Sequence, residues 1–211
     1  MLQLRTFTFN PFSENTYVLI NEKKECWIVD PGMYDNQETN EIIRFFEQHA
    51  LQPQGIINTH THIDHILGIQ ALVDKYKIPF GMHTKDEPVL RNALGSAMMF
   101  GLPLSSVPKP DYFITEGVPL KLGEDELEVR FTPGHSPGSI VFYSADGKWV
   151  IGGDVLFAGS IGRTDLPGGD HDTLLGSIRT QLFTLPDDTV VFPGHGPSTS
   201  IGQEKATNPF F

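Results

Sequence analysis

The chain opens on short runs in which hydrophobic and polar residues alternate, each closed by an Asn-Pro, Asn-Glu or Asp-Pro-Gly turn signal. A period of two is typical of a strand with one buried face, and these breakers mark where each strand ends. Other segments repeat apolar residues every three or four positions, which predicts amphipathic helices. In the first half, strands are predicted at 2–9, 15–20, 25–29, 55–58 and 78–82, and helices at 35–50, 66–76 and 84 to about 100.

The second half shows the same order of strand patterns followed by helical patterns. Asp146-Gly147 predicts a hairpin turn between two of its strands. Two sets of strands, each followed by helices, predict two sheets packed face to face with helices outside. We therefore expect an α/β fold, a four-layer αββα sandwich, with residues 1–211 as one domain. Strands are predicted at 112–115, 118–122, 126–132, 139–144, 148–152 and 189–192, and helices at 172–185 and 198–207.

The segment after the strand at 78–82 has an unusual composition. Thr84 and Glu87 have the spacing of a capping box and predict a helix that begins there. Residues 88–108 are apolar and rich in proline, and include the run Met98-Met99-Phe100. This segment is either a small additional core cluster or a wall or lid over an active site.

Composition and charge narrow the classes of function. The chain is 39% hydrophobic and 19% charged, which is typical of a globular protein with a sizeable core. Its net charge of −11 disfavours nucleic acid and anionic membrane surfaces as partners. The single cysteine, Cys26, cannot form a disulfide within the chain, and no signal peptide or membrane-spanning run is visible. We expect a cytoplasmic monomer or homodimer.

The most informative stretch runs from Thr59 to His65 and contains three histidines and an aspartate. It follows a predicted buried strand directly. Imidazole and carboxylate groups are ligands that zinc, iron and manganese accept. Residues two apart point the same way on an extended segment, so His60 and His62 can bind one ion. Asp64 and His65 follow where the chain turns and can face a second ion.

Three further residues of ligand type follow other predicted strands. His135 and His195 each come directly after a Pro-Gly turn, and Asp154 follows the strand at 148–152. Four strand ends are therefore predicted to deliver ligand-type side chains to one rim. Five histidines and two aspartates are enough for two metal ions that share a bridging group and keep a position open for chemistry.

This pattern resembles the metallo-β-lactamase superfamily, and the resemblance covers nearly the whole chain. Pro133-Gly-His-Ser-Pro-Gly138, Gly162-Arg-Thr-Asp165 and Pro193-Gly-His-Gly196 are similar to short glyoxalase II-like hydrolases. The resemblance implies hydrolysis of a hydroxyacylglutathione thioester, such as lactoylglutathione, by a hydroxide that bridges two metal ions. Zinc is the expected metal, with iron or manganese as alternatives. The implied ligands are His60, His62 and His135 for one metal and Asp64, His65 and His195 for the other, with Asp154 bridging and with Asp64 and Asp154 acting in catalysis.

The chain departs from the longer glyoxalase II enzymes in two ways. We expect no counterpart of their C-terminal helical domain, whose basic residues bind glutathione, and Arg163 stands where they have a glutathione-contacting lysine. Arg163 is either a substrate-binding residue or a structural partner of Asp165 or Asp170. His83 is either a support for the metal site or a structural residue, and His49 and His171 are expected on the surface.

Other functions of the same residues stay open at this point. A persulfide dioxygenase-like oxidoreductase would use a mono-iron site made by His60, His135 and Asp154. A lactamase, a nuclease and a metal-binding regulatory module are further alternatives, and the acidic composition disfavours the nuclease. A thiolate can leave without a proton, whereas an amine needs one, so the absence of an obvious extra acid favours a thioester substrate.

Overall fold

A computed structural model describes residues 1–211 and contains two six-stranded sheets. The strands of the first sheet are β1 (Gln3–Phe9), β2 (Glu14–Ile20), β3 (Glu25–Val29), β4 (Gln52–Ile57), β5 (Phe80–His83) and β6 (Tyr112–Ile114). They lie in sequence order, antiparallel from β1 to β3 and parallel from β3 to β6. Parallel neighbours need crossover connections, and helices supply them here.

The second sheet is mostly antiparallel, with one parallel pair that positions functional residues. Strands β10 and β13 run in parallel, so their carboxyl ends meet at the same edge. A small separate hairpin lies in the chain between these two strands. The strands of this half are β7 (Leu120–Leu122), β8 (Asp125–Phe131), β9 (Ile140–Ser144), β10 (Trp149–Gly153), the hairpin β11 (Leu156–Phe157) and β12 (Ser160–Ile161), β13 (Val190–Pro193) and β14 (Thr199–Ser200).

Alternate residues of the central strands belong to different apolar clusters, which establishes the layering. On β2, Val18 packs in the cluster beneath the helices of the first half, while Leu19 packs between the two sheets. On β9, Phe142 packs between the sheets and Val141 packs under the helices of the second half. Three apolar clusters therefore separate four layers, and the predicted αββα sandwich is confirmed.

The helices cover the outer faces of the two sheets. Two of them provide the crossovers from β3 to β4 and from β4 to β5. The helix predicted at 172–185 is α-helical only over His171–Ser177 and continues as a wider π-type turn over Ile178–Leu182. The helices are α1 (Asn36–His49), α2 (Ile69–Tyr76), α3 (Glu87–Arg91), α4 (Ala93–Phe100), α5 (His171–Ser177) and α6 (Ile201–Thr207).

Two local predictions differ from the structure. The capping box at Thr84 is wrong, because residues 84–86 form a single 3₁₀ turn that begins after His83, and α3 starts only at Glu87. The predicted continuous helix is also divided at Asn92 into α3 and α4. The short strands β11, β12 and β14 were not predicted, since two residues carry no periodicity. No helix combines the length and the apolar character needed to cross a bilayer.

Candidate metal centre

Four strand ends deliver the seven ligand-type side chains to one edge of the sandwich. The loop after β4 carries His60 to His65, and the loop after β8 carries His135. Asp154 directly follows β10, and His195 follows β13. The structure brings all seven together, so their convergence does not depend on the resemblance from which roles were inferred.

The first donor set consists of three imidazoles. The Nδ1 atom of His62 lies 2.8 Å from Nε2 of His135, which in turn lies 3.2 Å from Nε2 of His60. The three ligand atoms all lie within 4.8 Å of one another. His60 and His135 are buried, and His62 is half-buried at the cavity side. This set could hold one metal ion.

The second donor set combines a carboxylate with two imidazoles. Oδ2 of Asp64 lies 3.1 Å from Nε2 of His195 and 3.7 Å from Nε2 of His65. His65 is fully buried, whereas the His195 side chain is 25% exposed, so this set opens toward solvent through His195. It could hold a second ion beside the first.

Asp154 lies between the two sets. Its Oδ2 atom is 3.5 Å from Nε2 of His135 in the first set and 3.4 Å from Nε2 of His195 in the second. Its Oδ1 atom is 3.5 Å from Nε2 of His65. Gly194 faces this carboxylate so closely that a Cβ atom would collide with it. One carboxylate therefore adjoins both sets, which is the position a bridging ligand needs.

Two features show that these residues fit divalent cations. Nε2 of His65 and Oδ1 of Asp154 are buried without hydrogen-bond partners, which is costly unless another group satisfies them. The ring nitrogens of His60, His62 and His135 also face one another, and lone pairs at this distance repel unless a cation lies between them. Imidazole and carboxylate donors suit zinc, iron or manganese.

The other ring nitrogens of four histidines are held by hydrogen bonds from behind. Nδ1 of His65 donates to the Asp30 carboxylate at 3.2 Å, and that carboxylate also accepts from the hydroxyl of Thr59. The Thr59 oxygen lies 3.1 Å from Nδ1 of His60 and accepts from it. Such bonds set the tautomer and the ring orientation of a metal-binding histidine. The two remaining contacts are His135 Nδ1 to the carbonyl of Arg163, 2.7 Å, and His195 Nδ1 to the carbonyl of Phe12, 3.0 Å.

A buried carboxylate connects the two loops that hold the first donor set. Asp86 accepts hydrogen bonds from the backbone N–H and hydroxyl of Thr61, which lies between His60 and His62. It also accepts from the hydroxyl of Ser136, the residue after His135, and from the N–H of Gly138. Asp86 is fully buried, so these bonds are not weakened by water.

Glu14 is a second buried carboxylate, located behind His65. Its Oε1 atom lies 3.8 Å from Nδ1 of His65 and has no hydrogen-bond partner, while Oε2 accepts from the hydroxyl of Thr16. Burial raises the pKa of Glu14 well above its ordinary value, and the neighbouring His65 opposes that rise. A protonated Glu14 would satisfy part of this pocket without adding charge.

The two donor sets differ in protonation. Burial and the nearby imidazoles hold the pKa of His60 well below its ordinary value, and burial lowers the pKa of His62 to about 4. Burial also acts to lower the pKa of His195, but hydrogen bonds to Asp154 and Asp64 outweigh it and raise that pKa to about 10. The same two carboxylates raise the pKa of His65 against its burial. Without metal, the second set therefore carries its own balancing charges.

The donor sets lie at the base of a cavity of about 700 Å³. Most of the residues above the donors are apolar, and the cavity lining includes no lysine, tyrosine, cysteine or glutamate. One side of the segment 88–100 contributes to this lining, while Leu90, Ala93 and Ala97 from its other side pack in the core under the first sheet, so both alternatives given for 88–108 apply to this part. Leu102, Leu104 and Val107 also pack against the core under the first sheet.

The remaining sequence candidates occupy different environments. Arg163 lines the cavity, but its guanidinium pairs with Asp165 through two hydrogen bonds of 2.6 and 2.7 Å. His83 is buried against Phe131 and bonds Glu116 at 3.1 Å, so its role is structural. His49 and His171 are exposed, as predicted. The supporting residues were missed: Asp30 follows β3, a position that could have signalled it, while Asp86 carries no local signal.

The αββα sandwich and the His/Asp donor sets at its strand ends together indicate a metal-binding protein. The chain belongs to the metallo-beta-lactamase superfamily, because the model of that family matches residues 9–195. The match therefore includes all seven ligand-type residues, from His60 to His195.

Relatives and solved structures agree with this family over nearly the full chain. A probable metallo-hydrolase, YqgX of Bacillus subtilis, is 41% identical, with 99% of this chain and 97% of the relative covered. The hydroxyacylglutathione hydrolase GloC of Haemophilus influenzae is 39% identical, with 94% and 93% covered. The crystal structure of the BLEG-1 B3 metallo-beta-lactamase superposes with a TM-score of 0.90 at 40% identity, covering 99% of both chains. The chain is thus similar to metal-dependent hydrolases with different named substrates.

Proposed function

We propose that this protein hydrolyses thioesters, with hydroxyacylglutathione thioesters such as lactoylglutathione as the first substrates to examine. The observation that carries the proposal is the position of Asp154, whose carboxylate adjoins both donor sets at 3.4 to 3.5 Å. A pair of sites that shares one carboxylate is suited to two-metal hydrolysis. The similarity to the GloC hydrolase supports glutathione as the thiol carrier.

The seven residues divide naturally in this proposal. His60, His62 and His135 would hold one ion, and Asp64, His65 and His195 would hold the other. Asp154, which adjoins both sets, would contribute to both. When bound, two divalent ions would lower the pKa of a water molecule and polarise the substrate carbonyl. The Asp64 carboxylate, which is half-buried at the cavity base, would orient the attacking water and accept its proton.

The chemistry of the leaving group favours a thioester over an amide or lactam. An amine must be protonated as it leaves, whereas a thiol with a pKa near 8.5 can leave as a thiolate. The cavity lining offers no lysine, tyrosine, cysteine or glutamate as an acid. A thioester is therefore the substrate that fits this lining best, because its leaving group needs no acid.

An iron-dependent oxidoreductase is the second candidate. His60, His135 and Asp154 also converge as two imidazoles and one carboxylate, the set that a mono-iron oxygenase uses. The crystal structure of TTHA1623 in a di-iron-bound form superposes with a TM-score of 0.88 at 37% identity, with 98% of this chain and 100% of that chain covered. Iron alone therefore does not distinguish the candidates, and the number of ions per chain does.

The deciding experiment combines metal quantification with three assays on the same preparation. We expect close to two divalent ions per chain, hydrolysis of lactoylglutathione, and little hydrolysis of a β-lactam. One iron per chain, with oxygen uptake that depends on a persulfide, would establish the oxidoreductase instead. Faster turnover of the β-lactam than of any thioester would also refute the proposal.

A further inference from the structure

One side of the cavity is an apolar surface made by Phe12, Val89, Met99 and Phe100, which we name the apolar wall. Val89 lies on α3, and Met99 and Phe100 lie on α4. The rings of Phe12 and Phe100 meet edge to face, with centroids 5.6 Å apart, and so join the loop after β1 to α4. The wall is therefore built from two distant parts of the chain.

The apolar wall adjoins one end of the metal centre. The carbonyl of Phe12 accepts the Nδ1 hydrogen bond of His195, which ties the wall to the second donor set. Arg163 lies at the opposite end, where its carbonyl accepts from Nδ1 of His135 in the first donor set. A substrate whose carbonyl lies over both donor sets would therefore extend one arm along the wall and the other toward Arg163.

The apolar side chains of the wall are unusually exposed to solvent, which indicates a binding surface. Met99 is 79% exposed although it lines the cavity, and Phe12 and Phe100 are 40% and 42% exposed. Contiguous exposed apolar side chains in a chain of net charge −11 usually mark a binding surface. Continuity with the metal centre indicates that the surface serves the substrate.

Charge decides the chemistry of that ligand. No charged side chain belongs to the wall, and its polar neighbours in the cavity are the uncharged Asn92 and Ser96. Apart from histidines, the only cation in the cavity lining is Arg163, which is already paired with Asp165. An anionic group would find no charged partner on the wall. A hydrocarbon chain would be stabilised there, because contact with the wall removes its apolar surface from water.

We propose that the apolar wall binds the hydrocarbon chain of a medium-chain acyl group, so that the preferred substrate is a thioester more apolar than lactoylglutathione. This inference rests on the proposed thioester hydrolysis and names its acyl specificity. The acyl chain lies along Met99 and Phe100, and the thiol carrier extends toward Arg163. Met99 and Phe100 are then specificity-determining residues.

The test uses thioesters of N-acetylcysteamine, an uncharged thiol, with acyl groups from acetyl to octanoyl. From butanoyl onward the reactivity of the carbonyl hardly changes, so differences in kcat/KM measure the contribution of the acyl chain to binding. We expect kcat/KM to rise about two- to fourfold for each added methylene, where fourfold corresponds to about 0.8 kcal/mol for a fully buried methylene. A kcat/KM that is independent of chain length overturns the inference while leaving the thioester hydrolase proposal intact.

Adjacent methionines provide a matched pair of variants. Met98 is 85% exposed and does not line the cavity, whereas its neighbour Met99 does. Met99→Ser should flatten the dependence on chain length, and Met98→Ser should leave it unchanged. Equal slopes in the two variants refute the role of Met99. If the surface instead pairs two copies, both variants lower the molar mass measured by light scattering and neither alters the slope, which also overturns the inference.

A binding measurement separates this inference from the proposed reaction. Alkyl thioethers of N-acetylcysteamine cannot be hydrolysed, and calorimetry with the metal-loaded protein measures their affinity directly. Affinity that increases with alkyl length, and less so in Met99→Ser, supports the wall even if no thioester is hydrolysed. In that case only the proposed reaction fails. Affinity that does not depend on alkyl length overturns the wall whatever the assays show.

Discussion

The carboxylate of Asp86 accepts hydrogen bonds from both the backbone N–H and the hydroxyl of Thr61, at 2.5 and 2.8 Å. Thr61 lies between two of the histidines in the first donor set, and the same carboxylate holds Ser136 beside the third. The position of the donor set therefore depends on a residue that touches none of the donor atoms. The relationship links the segment before α3 to the chemistry of the site.

Replacing Asp86 with alanine should weaken both the fold and the first metal site. The change leaves buried donors of Thr61, Ser136 and Gly138 unsatisfied, so the free energy of unfolding should fall by about 3 kcal/mol or more. Chemical denaturation and metal quantification measure the two effects. Asp86→Asn keeps one acceptor oxygen and should be intermediate in both.

The control for this prediction is Asp74→Asn, at an exposed position on α2. It should change neither stability nor metal content. If Asp86→Ala loses stability but binds a full complement of metal in the fraction that remains folded, the residue supports the fold alone.

Asp154→Ala should abolish hydrolysis and reduce the metal bound per chain. The carboxylate adjoins His65, His135 and His195, so its removal deprives both donor sets of a ligand. Atomic absorption and the thioester assay on the same samples check this. Asp146→Ala in the exposed turn between β9 and β10 is the matched control. Full activity with normal metal content in Asp154→Ala would be incompatible with a bridging role.

Arg163→Ala should raise KM for a glutathione thioester and leave kcat nearly unchanged. An exposed ion pair contributes about 0.2–1 kcal/mol, so the increase in KM should be roughly 1.5- to 5-fold. Steady-state kinetics with a glutathione thioester and an uncharged N-acetylcysteamine thioester measure this, and only the former should respond.

Asp165→Ala is the informative partner variant, because it releases Arg163 from its two hydrogen bonds. The free guanidinium should lower KM for the anionic substrate. If neither variant alters KM, the pair between Arg163 and Asp165 is structural.

The two donor sets should respond differently to pH. In the metal-free protein at neutral pH, His60 and His62 are neutral imidazoles because their pKa values are lowered, and His65 and His195 are imidazolium cations because theirs are raised. Metal binding to the second set must therefore displace one proton from each of the imidazolium rings of His65 and His195. His60 and His62 in the first set are already neutral and release no such proton. Acidification consequently weakens the second site more steeply than the first.

Calorimetric titration of metal into the metal-free protein checks this difference. Runs in buffers of different ionisation enthalpy give the number of protons released at each step. We expect the tighter step to release fewer protons, and its affinity to vary little between about pH 6 and 8. Equal proton release at both steps would mean that the protonation states of the two sets do not differ.

Much of the architecture could be predicted from local patterns. The strand at 25–29 agrees with β3 in both bounds, and most other long elements agree within a few residues. Strong periodicity explains this, because alternation along a strand reflects burial on one face. The two-residue strands β11, β12 and β14 could not be predicted, and the capping box at Thr84 was wrong because residues 84–86 form a 3₁₀ turn before α3 begins.

The sequence by itself determined the donor set, because histidines and aspartates directly after strands belong at a sheet edge whatever the details of packing. It also determined the layers, since alternation decides which face of each strand is buried. The family resemblance implied how these donors divide around Asp154, and only the tertiary structure decided their distances and which buried carboxylates hold them. The tertiary structure also placed Phe12 against Phe100. These relationships join residues far apart in the chain, and no local periodicity encodes the distance between them.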